Sequence, residues 1–232
     1  MIDYKKIYLT KTLLIFGIIF LVIFLFFGAS AQEEGKEEKG KVESVVNIQA
    51  DNVTYDKSTD KMIFIGNVVI AQEDIVLTAQ EADFDVDKKI GQISGDIKLV
   101  QTDITITGET LEAYLNDKRY IFQEMVKLIQ ERKDKEEKED NIIWNCKKLE
   151  IFTDTRNLTA TGEVKILKKD YTITAEEAVY NDKEQKIDLT GGKVKIEEQD
   201  SKRWISGDKA VFYIETERLE VQGNVQSGIK LD

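Results

Sequence analysis

Apolar and polar residues alternate along most of this chain, and glycine interrupts the alternation at regular intervals. In the stretch 62–70 (MIFIGNVVI), Met62, Phe64, Gly66, Val68 and Ile70 share one parity and line one face of a pleated strand. The same phase recurs in Ile93, Gly95, Ile97 and Leu99, and in Leu158, Ala160, Gly162, Val164 and Ile166. It returns a fourth time in Leu219, Val221, Gly223 and Val225. Period-two patterning of this kind predicts strands with one apolar and one wet face.

Self-comparison extends the pattern to six copies of one unit. Each copy opens on a small residue: Ala50, Ala79, Gly108, Cys146, Ala175 or Gly207. Three residues on stand Val53, Ala82, Leu111, Leu149, Ala178 and Ala210, and two further on Tyr55, Phe84, Ala113, Ile151, Tyr180 and Phe212. A polar turn follows, and then the glycine strand, aligned on Gly66, Gly95, Glu124, Gly162, Gly192 and Gly223. On that alignment the offset from opening residue to glycine is 16 in five copies and 17 in the fifth. Glycine weakens a strand interior and marks a bend, a bulge or a close approach. Its recurrence at equivalent positions predicts that each long strand bends there or packs against a neighbour too tightly for a side chain, and the phase change at Gly191-Gly192 predicts a β-bulge in the fifth copy.

The third copy departs from the others. It has Glu124 in place of glycine and is followed by ERKDKEEKED (131–140), a mixed-charge run read as a solvated loop. Ile121, Met125, Leu128 and Ile129 fit a helical period, but Tyr120, Phe122, Val126 and Leu128 keep the strand phase, and the strand is preferred.

Six two-strand units give about twelve strands. An open antiparallel jelly roll and a parallel β-solenoid both satisfy such a repeat. The short turn segments 116–119 and 154–157 favour antiparallel reversal. The absence of proline agrees with a chain that is nearly all strand.

Charge and chemistry narrow the function. The chain of 232 residues carries 44 acidic against 33 basic residues, a net charge of -11, with no histidine and one cysteine. Along the sequence the basic residues are scattered among acids, which excludes nucleic acid as the expected partner. Without histidine the commonest acid–base group at neutral pH is missing. Glu176-Glu177 and Glu197-Glu198 read as solvated strand residues, and no D-x-D-x-D-G calcium loop is present. No enzyme, cofactor or metal is expected. Cys146 has no partner for an intrachain disulfide and, near Trp144 and Leu149, reads as a small buried residue.

At the N-terminus, Lys5, Lys6 and Lys11 precede the apolar run 13–27 and the small residues Gly28-Ala29-Ser30-Ala31. This describes a secretory signal peptide cleaved after Ala31 or, since the uncharged stretch 12–32 is long enough to span, a retained membrane anchor helix. Cleavage would take away three lysines and Asp3, leaving a mature charge of -11 - 2 = -13. Residues 32–44 are charged and poor in large apolar side chains, a disordered linker. The repeat then occupies 45–230.

An exported chain of repeated A-x-x-Φ-x-Φ, polar turn and Φ-x-G-x-Φ units resembles the OstA-like lipopolysaccharide-transport family of LptA, LptC and the N-terminal part of LptD. The segments IQADNVTYD (48–56), LTAQEADF (77–84), TAEEAVY (174–180), GNV (66–68) and GNV (223–225) carry the resemblance, which covers roughly 45–228. It implies an open twisted β-jelly roll whose interior shelters lipopolysaccharide acyl chains in the periplasm. It further implies strand-edge pairing with LptC-like or LptD-like components, or with itself, into a bridge towards the outer membrane. On that reading the inner wall is formed by Phe64, Val68, Ile70, Ile93, Ile97 and Leu99. Phe122, Val126, Leu158, Val164 and Ile166 continue it, and Val194, Ile196, Val221 and Val225 complete it. Without a lipid ligand, the same exported repeat would be a structural or adhesive solenoid.

Overall fold

The computed structural model describes residues 46–229 except 73, 132–140, 169–170, 199–202, 215 and 217. The N-terminal segment 1–31, the linker 32–44 and, apart from Glu131, the charged insertion lie outside the described residues. Within them the chain is all β, and every strand pair is antiparallel. A parallel solenoid is therefore not the architecture.

Eight long strands form the centre: β3 (Lys61–Gln72), β4 (Ile75–Asp85), β5 (Ile90–Gln101), β6 (Ile104–Tyr114), β7 (Arg119–Gln130), β8 (Ile142–Phe152), β9 (Asn157–Lys168) and β10 (Tyr171–Asn181). Each pairs with its neighbour in sequence, so they run as a meander. Before them β1 (Asn47–Gln49) and β2 (Asn52–Asp56) pair with the two halves of β3 and act as one interrupted strand. After them come three further interrupted strands: β11 (Lys186–Thr190) with β12 (Val194–Glu198), β13 (Arg203–Gly207) with β14 (Lys209–Tyr213), and β15 (Arg218–Gln222) with β16 (Gln226–Ile229). Counted this way, sixteen segments make twelve bent strands, the open jelly roll of about twelve antiparallel strands expected from the repeat. The segment around Glu124 is strand, within β7.

The bend has one construction throughout. In β3 the pairing with β4 slips by one residue between Ile65 and Val68, and the two residues between them, Gly66 (φ +81°) and Asn67 (φ +47°), are both left-handed. Glycine takes that conformation without penalty, whereas other residues carry a cost of roughly 1–2 kcal/mol. A Cβ on Gly66 would also meet the Asp51 carboxylate on the preceding strand, which would have to swing aside. Equivalent left-handed pairs occur at 95–96, 124–125, 162–163, 191–192 and 223–224.

This geometry corrects the alignment of the fifth copy. The first residue of its left-handed pair is Gly191, and a Cβ there would lie 2.7 Å from Glu176 Cβ, the same neighbour relation as in the other copies. The offset from Ala175 is thus 16, as everywhere else. The extra residue follows the pair: Lys193 is exposed and Val194 resumes the buried phase, so the strand breaks into β11 and β12. The small opening residues also change meaning. Ala79, Gly108, Cys146 and Ala175 stand in mid-strand, where the returning strand crosses the fold and its inward phase switches, as from Ala79 to Ala82.

Bending every strand at one level divides the sheet into two leaves. The first holds the halves joined by four-residue turns, such as 61–65 and 81–85, and the second the halves beyond the bend, such as 68–72 and 75–79. Their inward rows meet in one continuous core that includes Phe64, Leu149, Leu158 and Tyr180 from the first leaf and Val68, Ile97, Trp144 and Val164 from the second. Side chains next to the bend are the most deeply buried, Val68, Val126, Val164 and Val194 having at most 1% exposure. The fold line is a buried apolar seam.

Candidate functional site

Between the leaves, towards the N-terminal end, the seam widens into a cavity of about 80 Å³ lined almost wholly by apolar groups. The second leaf contributes Ile70, Ile75, Leu77, Leu99 and Ile106; the first contributes Phe84, Ile93, Leu111, Ala113 and Phe122. It is large enough for water yet offers few polar partners, so it is suited to hydrocarbon.

Its shape follows from two small residues. Gly91 of β5 and Ala113 of β6 are directly paired in the first leaf. The positions equivalent to them in other copies carry Tyr120, Leu158, Ile151 or Tyr180. Phe84 folds its ring over Gly91, where a Cβ would stand 2.8 Å from the ring edge, and meets Phe64 edge-on at a centroid distance of 6.1 Å. Ala113 lines the cavity beside them.

Polar groups mark the boundary of the site. Gln72, Gln101 and Gln130 end β3, β5 and β7 at 29-residue intervals and are buried along the outer rim of the second leaf, alternating in register with Ile75, Ile104 and Ile142. Gln72 and Gln101 reach the cavity. On the opposite wall the Tyr120 hydroxyl is buried with no hydrogen-bond partner among the described residues, and burial pushes its pKa well above the ordinary tyrosine value. Farther along the groove Cys146 is buried, its thiol pushed up to about 12 by burial, which leaves it neutral and unreactive at physiological pH. No group of three or more metal-ligating side chains occurs among the described residues.

The structure separates the fifteen residues expected on the inner wall into three sets. Ile70, Ile93, Leu99 and Phe122 line the cavity. Phe64, Val68, Ile97, Val126, Leu158, Val164, Ile166, Val194, Ile196 and Val221 pack into the seam and the filled part of the core. Val225 does neither: it follows the left-handed pair Gly223-Asn224 and is 51% exposed. The sequence reading placed the wall on the glycine strands alone and so missed Ile75, Leu77, Phe84, Ile104, Ile106, Leu111 and Ala113, which lie on the returning strands. The small-x-x-Φ-x-Φ spacing held that signal, because a step of three within a strand exchanges its faces.

Among the described residues both ends of the sheet are uncovered. At the N-terminal edge β2 is exposed along its whole length, with Val53 at 61% and Tyr55 at 54%, although the equivalent Ala82 and Phe84 one copy later are buried. At the C-terminal edge β15 and β16 have partners on one side only.

Residues 47–92 and 78–218 match the family described as LptA/(LptD N-terminal domain) LPS transport protein. Among solved structures, LptH, the LptA-homologous periplasmic component of the conserved lipopolysaccharide transport device of Pseudomonas aeruginosa, aligns with 10% identity and a TM-score of 0.26. That alignment covers 82% of this chain and 97% of LptH. No curated protein matches.

Proposed function

The chain belongs to the family of LptA and the N-terminal domain of LptD, a family of lipopolysaccharide transport proteins, and on that footing we propose that its leaves shelter lipopolysaccharide acyl chains on the way to the outer membrane. The observation that carries this reading is the apolar cavity between the leaves, in a sheet whose two ends are uncovered among the described residues. Each CH₂ removed from water into such a site gains about 0.8 kcal/mol, so a few methylenes per acyl chain suffice for a specific preference. The protein binds and hands on its cargo without making or breaking a bond.

Within the same reading the chain acts in the periplasm, delivered there by its N-terminal apolar segment. The uncovered edges at β1/β2 and β15/β16 accept a strand from an LptC-like or LptD-like component or from a second copy, which continues the groove from one molecule to the next. The acidic surface leaves the anionic sugar phosphates in solvent while the tails enter.

A photoreactive residue at Ile70, Ile93 or Leu99 tests the proposal in cells making lipopolysaccharide. Each is expected to give a lipopolysaccharide adduct, and a probe at Thr159 on the outer face of the first leaf is expected to give none. Adducts absent from all three cavity positions would overturn the reading and leave a structural sheet without cargo.

A further inference from the structure

The lysines that are scattered in sequence are gathered by the sheet. On the outer face of the second leaf, strand pairing sets Thr78, Lys98, Thr107, Lys127, Asn145, Lys165, Thr174 and Lys195 side by side in one row. Lysine occupies every second strand, so the ammonium groups repeat about every 10 Å and the four span roughly 30 Å. Lys98, Lys127 and Lys165 are exposed. Among the described residues none of these three has a carboxylate partner, whereas Lys195 pairs with Glu197 on its own strand at 2.6 Å. Of the acids nearest along the strands, Asp96 and Glu163 at the bend are engaged by Gln80 and Lys147, while Glu124 stands three residues before Lys127 on the same strand.

One step further from the bend runs a second row in the same register: Ala71, Val76, Val100, Thr105, Ile129, Ile143 and Leu167. Val76 is exposed and the others are half-buried, although they face away from the core. An apolar row lies alongside a basic row on a protein whose net charge is -11.

The first leaf is built differently. Its outer face carries Glu112, Glu150, Asp188 and Glu220, and the bases beside them are already used: Arg119 and Lys148 on Glu150, Lys186 on Asp188 and Arg218 on Glu220. Those bases are ion-paired, whereas Lys98, Lys127 and Lys165 of the second leaf have no carboxylate partner among the described residues. An occupant that brings negative charge and an apolar layer therefore complements the second leaf.

We propose that the outer face of the second leaf docks on an anionic phospholipid bilayer, with Lys98, Lys127, Lys165 and Lys195 at the level of the phosphates and the row from Val76 to Leu167 entering the interface. A surface that combines apolar area with lysines gains from both acyl-boundary burial and attraction to anionic headgroups. Docking by this face leaves both sheet edges and the opening between the leaves free.

The test uses the full chain with an environment-sensitive fluorophore at Thr107→Cys, inside the lysine row, or at Thr159→Cys on the other leaf; buried Cys146 does not compete for the label. Vesicles of phosphatidylcholine, with and without about a third phosphatidylglycerol, carry a headgroup quencher, so position on the bilayer is read even if the N-terminal segment inserts. Quenching at Thr107 is expected to exceed that at Thr159 several-fold, with anionic vesicles only. It should fall to the Thr159 level in the triple variant Lys98→Gln, Lys127→Gln, Lys165→Gln, and for the wild-type lysines in about 0.5 M salt. Equal quenching at the two positions, or quenching at Thr107 that ignores the lysines and the salt, overturns the proposal. So does a triple variant that changes the oligomeric state with no change in quenching, which would assign the face to a protein contact.

Discussion

The side-chain amide of Asn67 donates to Asp51 Oδ2 at 2.9 Å across the first bend. At the opposite end of the chain Asn224 donates to Asp208 Oδ2 at the same distance. Gln80 with Asp96 and Lys147 with Glu163 repeat the relation at bends between them, always sixteen residues apart. Each pair ties the second left-handed residue of a bend to the strand before it. Asn67→Ala removes both the tie and a side chain that tolerates the left-handed region, at a cost of about 1–2 kcal/mol. Because β2 is an edge strand, the loss is expected as local fraying. Amide exchange in β2 should quicken about tenfold while that in β7 stays unchanged.

At the centre of the sheet the same conformation is enforced by space. A Cβ on Gly162 (φ +79°) would lie 2.9 Å from Lys147 Cβ, an atom that cannot swing aside. Gly162→Ala is therefore expected to destabilise by about 2–3 kcal/mol, the sum of left-handed strain and strand displacement. The third bend gives the opposite sign, since Glu124 (φ +63°) already carries that strain. Glu124→Gly should stabilise by roughly 0.5–1 kcal/mol after the extra freedom of the unfolded glycine is deducted. Urea midpoints for the two variants, moving in opposite directions, check the account.

Strand parity and the sixteen-residue spacing made the bends and the count of twelve legible in the sequence. Three features were not. Gly191 was passed over for Gly192 because parity alone cannot tell a left-handed pair followed by an inserted residue from an insertion before it. The cavity wall on Leu77 and Phe84 was missed because the face exchange between Ala79 and Ala82 leaves no glycine to mark it. The lysine row was invisible because Lys98, Lys127 and Lys165 become neighbours only through cross-strand register. Local alternation specifies the strand, but pairing decides what stands beside it.

Cys146 makes stability depend on alkaline pH. Burial raises its thiol from 9.0 to about 12, so between those values the folded protein holds a proton that the unfolded chain has released. The contribution is complete below about pH 9 and declines as pH rises, by up to about 1.4 kcal/mol per pH unit. Between about pH 8 and pH 10 the wild type should lose this much more stability than Cys146→Ala, compared by urea unfolding at both values. An equal loss in the two proteins would remove Cys146 as the source.

The Tyr120 hydroxyl faces the cavity wall without a partner among the described residues, and a buried hydroxyl in that position costs about 1–3 kcal/mol. Tyr120→Phe keeps the ring and its packing against the core. The variant is expected to be more stable than the wild type by about 1 kcal/mol in the absence of lipid, an unusual sign for a core substitution. Thermal unfolding of the two proteins measures it.

Ala113 tests whether the cavity itself is used. Paired with Gly91, it lines the cavity together with Phe84 and is the small wall residue of the first leaf. Ala113→Leu adds three carbons to a space of about 80 Å³. The fold should tolerate this, since Ile151 and Tyr180 stand at the equivalent positions of other copies without disturbing the strand. Cargo should not tolerate it. Displacing two or three methylenes forfeits about 1.6–2.4 kcal/mol, on the order of a tenfold or greater loss of affinity for lipopolysaccharide. Binding of a fluorescent lipopolysaccharide to the full chain is the measurement, with unfolding followed in parallel. Weakened binding at unchanged stability places the acyl chain above Ala113. Unchanged binding moves it elsewhere between the leaves.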